Sequence, residues 1–352
     1  MRETERIELD AARARSLVWI DGELFDVASG WRHLPLDGSP PRSRYSSYGN
    51  LFDAVTVAPD GDVFALVASA GTKGLLLGKD TRILREINRS YYHANAYRYP
   101  VALFTLPDGR TAAVHCPEQY NRLEIEDAAT GERLTASDSR EPEDAFHSRL
   151  AVSPSGRYLL SAGWLWHPWG CLTVYDLHNA LGDPAVLDGT GDVFDLRGLI
   201  QAEVSGACFV GDDLLISTSD EPNDPDGPDD LAPLMLARWS TIEQRFTWRR
   251  QLDHCAGDLI CMAGGILALN GRPRLYDPAT GSLVHAWPDL PTGRSDSSIT
   301  WANTFTGPAR IAVDHAHNRF AYTDDDRVVG VTWDAGDARR DRGRTPKDET
   351  CE

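Results

Sequence analysis

Tyr276-Asp277-Pro-Ala-Thr-Gly281 is the stretch that decides the fold, because its turn recurs as Asp127-Ala-Ala-Thr-Gly131 and as Asp26-Val-Ala-Ser-Gly30. Aromatic–Asp pairs close apolar runs at Phe25-Asp26, Tyr175-Asp176, Tyr276-Asp277 and Trp333-Asp334. A second turn alternates with the first: Val57-Ala-Pro-Asp-Gly61, Leu106-Pro-Asp-Gly109 and Val152-Ser-Pro-Ser-Gly156. Short β-rich runs joined by two alternating Gly/Asp turns describe strands running up and down in small repeated sheets. Turns between the first and second strand of each unit centre near Asp60, Asp108, Ser155, Asp212, Gly264 and Ala316, roughly fifty residues apart. One further step back falls between Arg6–Leu9 and Ser16–Ile20, which makes seven units. In the third, Pro100–Leu106 turns at Pro107-Asp-Gly and returns as Thr111–His115. Arg122–Glu126 then enters the Asp127 turn, and Arg133-Leu-Thr closes the unit. The only helical signal is a single turn at Gly198–Ala202.

Units that cannot bury both faces alone stack radially and close into a ring. The chain resembles the WD40-like β-propeller superfamily over nearly its full length, on the aromatic–Asp ends and the Ser/Ala-Pro-Asp/Ser-Gly turns. It departs from the regular repeat: no unit carries Gly-His, and only Trp333-Asp334 is a literal Trp-Asp. His147 and His254 fall near the place of the repeat histidine. The implied fold is all-β, a seven-bladed propeller of four-stranded antiparallel blades, with six blades as the alternative. The last unit supplies strands near Ala309–Val313, Phe320–Thr323 and Val328–Trp333. Arg6–Leu9 is the candidate for its fourth strand, which leaves the first blade one strand short. Residues 1–336 are expected to form one domain, and 337–352 a polar, disordered tail.

The chain has 352 residues, 41% hydrophobic and 25% charged, the composition of a soluble globular protein. No apolar run is long enough to span a bilayer. The N-terminus, Met1-Arg-Glu-Thr-Glu-Arg-Ile-Glu, lacks the apolar core of a signal peptide, so the expected compartment is the cytoplasm. Six cysteines without a CxxC pair are expected to be free thiols rather than a zinc site. A net charge of −18 repels polyphosphate and argues against nucleic acid as partner.

The links between units and the loops between second and third strands share one face. There the sequence places Tyr45, Tyr48, Tyr91, Tyr92, His93, Tyr97, Tyr120, Arg122, Trp164, Trp166, His167, Trp169, His254 and Trp301, with Phe146-His147 beside them. Loops favour small polar residues, so rings in this number are the composition of a recognition surface. Each ring taken alone is more simply a seal over the core. His93, His115, His167 and His254 are the candidate catalytic or transition-metal groups, because imidazoles titrate near neutral pH and ligate zinc, iron or copper. Asp224, Asp226 and Asp230 match part of a calcium loop, but Pro222 takes the first ligand position, which favours a plain solvated loop. No GxSxG, GxxxxGK[ST] or helix-opening GxGxxG occurs. The expected function is non-enzymatic recognition of a protein segment or small ligand at this face, without a resident cofactor. The alternative is an enzyme at the same place, a hydrolase, lyase or cyclase, with or without a metal.

Overall fold

The computed structural model describes residues 2–11, 13–44, 48–166, 169–189, 191–195, 202–222, 231–299 and 309–334. Among these the chain forms eight antiparallel sheets of three or four strands. The first sheet contains Leu17–Ile20, Glu23–Asp26 and Arg32–Leu34; the second contains Ala54–Val57, Val63–Val67, Lys73–Gly78 and Ile83–Asn88. The third contains Val101–Thr105, Thr111–His115 and Glu124–Asp127. The fourth contains Ala151–Val152, Tyr158–Ser161, Thr173–Asp176 and Phe194–Asp195. The fifth runs from Ala202–Val210 through Asp213–Pro222 and Met235–Ser240 to Arg245–Gln251. The sixth runs from Leu259–Met262 through Gly265–Ala268 and Arg274–Tyr276 to Leu283–Ala286. In the seventh, Ile311–Asp314, Arg319–Asp324 and Arg327–Asp334 are followed by the N-terminal strand Arg2–Asp10 as outer edge. A small accessory sheet joins Ala145–Phe146, Trp164–Leu165 and Trp169–Gly170.

The Pro-Asp-Gly turns join first to second strands. Gly61, Gly109 and Gly156 donate their amides to Ala58, Leu106 and Ser153 at 2.8–2.9 Å. Asp60, Asp108 and Ser155 accept from the amide two residues on, at 3.0–3.2 Å, which locks each turn locally. The Asp-x-Ala-Thr-Gly turns follow third strands. Asp127 Oδ1 accepts from the amides of Ala129 and Thr130 and from the Thr130 hydroxyl, and Asp277 Oδ1 repeats this with Ala279 and Thr280. Gly131 and Gly281 close them at φ +76° and +67°, where a side chain would be strained.

The third copy, Asp26–Gly30, is not equivalent. It follows the second strand of its sheet and so lies at the opposite end. Its buried carboxylate accepts from the amides of Arg15 and Ser16 instead of from its own turn. The unit boundary expected between Arg6–Leu9 and Ser16–Ile20 moves for a related reason. Arg2–Asp10 pairs with Arg327–Asp334, so the first hairpin turns at Asp21-Gly22. The first and third sheets hold three strands rather than four. Single bridges, His33 to Arg42 and Glu126 to Arg133, stand where the outer strand would run.

Inner strands of each sheet are apolar on both faces because neighbouring sheets cover them. Leu76, Ile87 and Ala113 join the second and third sheets through Val101 and Leu103. Phe104 meets Leu159 and Tyr175 between the third and fourth, and Leu267 and Trp287 meet Phe320 and Val331 between the sixth and seventh. The seventh packs on the first through Ala321, Val328, Leu17 and Leu24. A cavity of about 790 Å³ is lined by the innermost strands of all seven main sheets, Leu17, Val55, Val101, Ala151, Cys208 and Leu259 among them, with Ile311 from the seventh.

Among the described residues one short helix, Leu177–Gly182, runs on into a 3₁₀ turn, Pro184–Leu187. Asp176, the aspartate of an aromatic–Asp pair, caps it by accepting from His178 and Asn179 amides. Six residues are too few to show a helical period, so no sequence pattern marks it. The turn expected at Gly198–Ala202 lies outside the described residues except for Ala202, which opens a strand. No helix among the described residues is long and apolar enough to cross a membrane.

Candidate recognition face

First strands enter from one end of the cavity, and the links and second-to-third loops gather there. The link 89–99 is shaped by a buried arginine. Arg89 donates to Gly71 O (2.7 Å), Ala94 O (2.5 Å) and Tyr97 O (3.1 Å), and its guanidinium lies 4.5 Å from the Tyr97 ring centre. The accessory sheet lies beside this link. Its pairing of Phe146 with Trp164 requires Gly163, since a Cβ there would sit 1.8 Å from Phe146 O.

On that platform the rings stack. Trp164 and Phe146 lie parallel, 3.9 Å apart, and both are buried. Tyr120 stacks on Phe146 at 4.5 Å and Tyr92 at 5.8 Å, while Trp166 lies 6.0 Å from Phe146 and 5.7 Å from Trp164. His93 bridges Tyr92 (4.5 Å) and Trp166 (5.2 Å), with its backbone left-handed at φ +49°. Each such pair contributes about 0.5–1.5 kcal/mol beyond burial, so the platform is ordered before anything binds. Exposure rises along the stack: Trp164 is 0% exposed, Tyr92 and Trp166 are each 47%, and neighbouring Tyr91 is 83%.

Tyr120 donates its hydroxyl to Asp144 Oδ1 at 2.5 Å, and burial together with that carboxylate pushes the phenol's pKa up. Tyr97 is buried beneath the stack, and burial raises its pKa to about 12. Tyr97 and Trp164 therefore support the surface rather than form it. Trp169 is half-buried on the accessory sheet. Tyr48 is separate: its hydroxyl accepts from Trp31 Nε1 at 2.7 Å. Arg122 turns inward to Glu124 (2.7 Å) and Ser137 O (3.0 Å). Tyr45, His167, Trp301, Asp224, Asp226 and Asp230 lie outside the described residues.

The histidines do not share a centre. His115 is buried against Glu126 (3.0 Å), whose carboxylate burial would raise but His115 and Arg85 hold down at about 2. His147 is buried between Ser161 Oγ (3.0 Å) and Asn121 O (3.2 Å), and burial lowers its pKa to about 4. His254 bonds Asp253 and the Tyr276 hydroxyl (2.7 Å), and His93 belongs to the stack. Among the described residues no three His, Cys, Asp or Glu groups converge as a metal site.

The same mouth carries a ring of charge that no sequence motif marks. Arg98 and Arg149 hold Asp258 at 2.5 and 2.9 Å, and Arg310 holds Asp53 at 2.6 Å. Burial works against the Asp258 carboxylate, yet the two guanidinium groups keep its pKa below the ordinary value. The one sequence signal is positional: each of Asp53, Arg149, Asp258 and Arg310 stands one or two residues before an inner strand. Above them Ile299 pairs with Tyr97, and Ser297 Oγ lies 3.5 Å from Glu203, so the segment before the last sheet crosses to the aromatic stack.

No known protein-family profile matches the chain, and no curated protein matches it in sequence. Solved structures do: 1124 chains match, a breadth that identifies an architecture and no single activity. One is the Myceliophteria thermophila Cps50 (Swd1) β-propeller domain, with TM-score 0.57 and 12% identity over 94% of this chain and 99% of that one. At that identity the likeness shows the fold, which is that of a β-propeller.

Proposed function

We propose that residues 1–336 form one seven-bladed propeller, closed by Arg2–Asp10 on the last blade, that works as a recognition module. Seven sheets packed in succession, the last against the first, support this count over six. The module binds a protein segment or small ligand at the link-face rings and performs no turnover. The observation that carries this reading is the pre-stacked platform, which rises from buried Trp164 and Phe146 to half-exposed Tyr92 and Trp166. Rigid rings supply contact area at low entropic cost, as binding hot spots do. The compartment proposed for this module is the cytoplasm.

The test is selection of displayed random peptides on the wild-type protein, with Trp166→Ala and Tyr92→Ala as counter-targets. The expected peptides bind the wild type and lose most of their affinity for both variants. Peptides that bind all three proteins equally would place recognition elsewhere on the surface.

A further inference from the structure

We infer that the partner presents an arginine-bearing segment to this face, with a guanidinium laid over Tyr92 or Trp166. The inference rests on the recognition function proposed above and adds the charge of the occupant. Among the described residues the cation–ring contacts are made elsewhere, and none lies over Tyr92 or Trp166.

Exposed carboxylates lie close in sequence to Tyr120 and Phe146 of the stack, and one of them touches it. Glu118, Glu141, Glu143 and Asp144 are all exposed. Asp144 is joined to the stack directly: it accepts the Tyr120 hydroxyl, and Tyr120 lies 4.7 Å from Tyr92. A cation over Tyr92 therefore sits one ring away from a carboxylate. The nearby arginines are already engaged. Arg133 pairs with Glu118 and Glu126, Arg122 with Glu124, Arg140 with Asp188, and Arg98 and Arg149 with Asp258. Asp144 and Glu141 make no ion pair among the described residues.

A guanidinium fits both features at once. It stacks flat on an aromatic face and donates in-plane to a carboxylate while carrying the positive charge that both the ring face and the carboxylate attract, which a neutral or acidic side chain lacks. The net charge of −18 adds long-range attraction for a basic segment and repulsion for an acidic one.

The probe is the peptide acetyl-Gly-Ser-Arg-Gly-Arg-Ser-Gly-amide, set against its twin with both arginines replaced by citrulline, which keeps the shape and removes the charge. The readout is the Trp166 indole N–H resonance, assigned by its loss in Trp166→Phe. The arginine peptide should shift it saturably, at least about tenfold more tightly than the citrulline peptide, and less tightly in high salt or in Asp144→Asn. Equal binding of the two peptides would overturn the charge selection and leave the recognition face standing. So would an unmoved resonance at about 10 mM peptide if displayed peptides still require Trp166. Should no displayed peptide require Trp166 either, the proposed recognition function falls as well.

Discussion

The two ends of the propeller handle polar groups in opposite ways. At the hairpin end, Asp60, Asp108, Asp127 and Asp277 turn their carboxylates onto amides two or three residues away. Each carboxylate answers its own turn first, and the reach beyond it is short: Asp127 also takes Arg110 (2.8 Å), and Asp60 takes the Thr111 hydroxyl of the next sheet (3.4 Å). At the link end, Arg89 gathers four carbonyls, Arg98 reaches Asp258 across 160 positions of sequence, and rings from three loops stack together. The first end closes sheets and ties each to its next neighbour, as Arg85 does to Ala128 O and Arg238 to Pro278 O, whereas the second also joins sheets that are not adjacent and leaves ring faces open. An interaction surface is expected where bonding is long-range and rings stand exposed, rather than where polar groups are mostly taken up by their own turns.

The contrast breaks most visibly at Trp164. Trp164→Ala should cost about 3–5 kcal/mol in denaturant unfolding, because it empties the base of the stack. A loss below about 1 kcal/mol would mean the platform is not packed as described.

Acid should strike the link end before the hairpin end. Burial holds the His147 pKa at about 4 against 6.5 in the unfolded chain. Its contribution is therefore complete above pH 6.5 and lost as pH falls through 4, about 3 kcal/mol in all. Glu126, with a folded pKa of about 2 against 4.5, contributes above pH 4.5 and is lost only below it. Unfolding free energies at pH 7 and pH 4.5 should differ less in His147→Gln than in the wild type. An unchanged slope would assign the acid sensitivity to another group.

At the hairpin end, Asp277→Ala removes one local acceptor and should cost about 1–2 kcal/mol, with peptide binding unaltered. Weaker binding by that variant would show that the two ends are coupled.

The hairpin end was the legible half of this chain. Its motifs are local, so Val57–Gly61 and Asp277–Gly281 announce turns that the structure contains. Local motifs also mislead, as Asp26–Gly30 does, because the same five-residue pattern can close a different pair of strands when its carboxylate answers Arg15 and Ser16. At the link end composition pointed to Tyr92, His93, Tyr120 and Trp166 as a set. It could not separate them from Tyr97 and Trp164 beneath, because that distinction depends on two-residue strands at Phe146, Trp164 and Trp169, too short to carry a pattern. The Arg98–Asp258–Arg149 cluster was invisible for the same reason that gives it reach, its partners lying far apart in sequence.

Trp166→Ala carries the smallest expected change in stability and tests the recognition face most directly. Its unfolding free energy and its affinity for peptides selected on the wild type should be measured together. The expected result is a stability loss of about 1 kcal/mol or less with binding reduced at least about tenfold. A variant that unfolds, or that is folded and still binds as the wild type does, would contradict it.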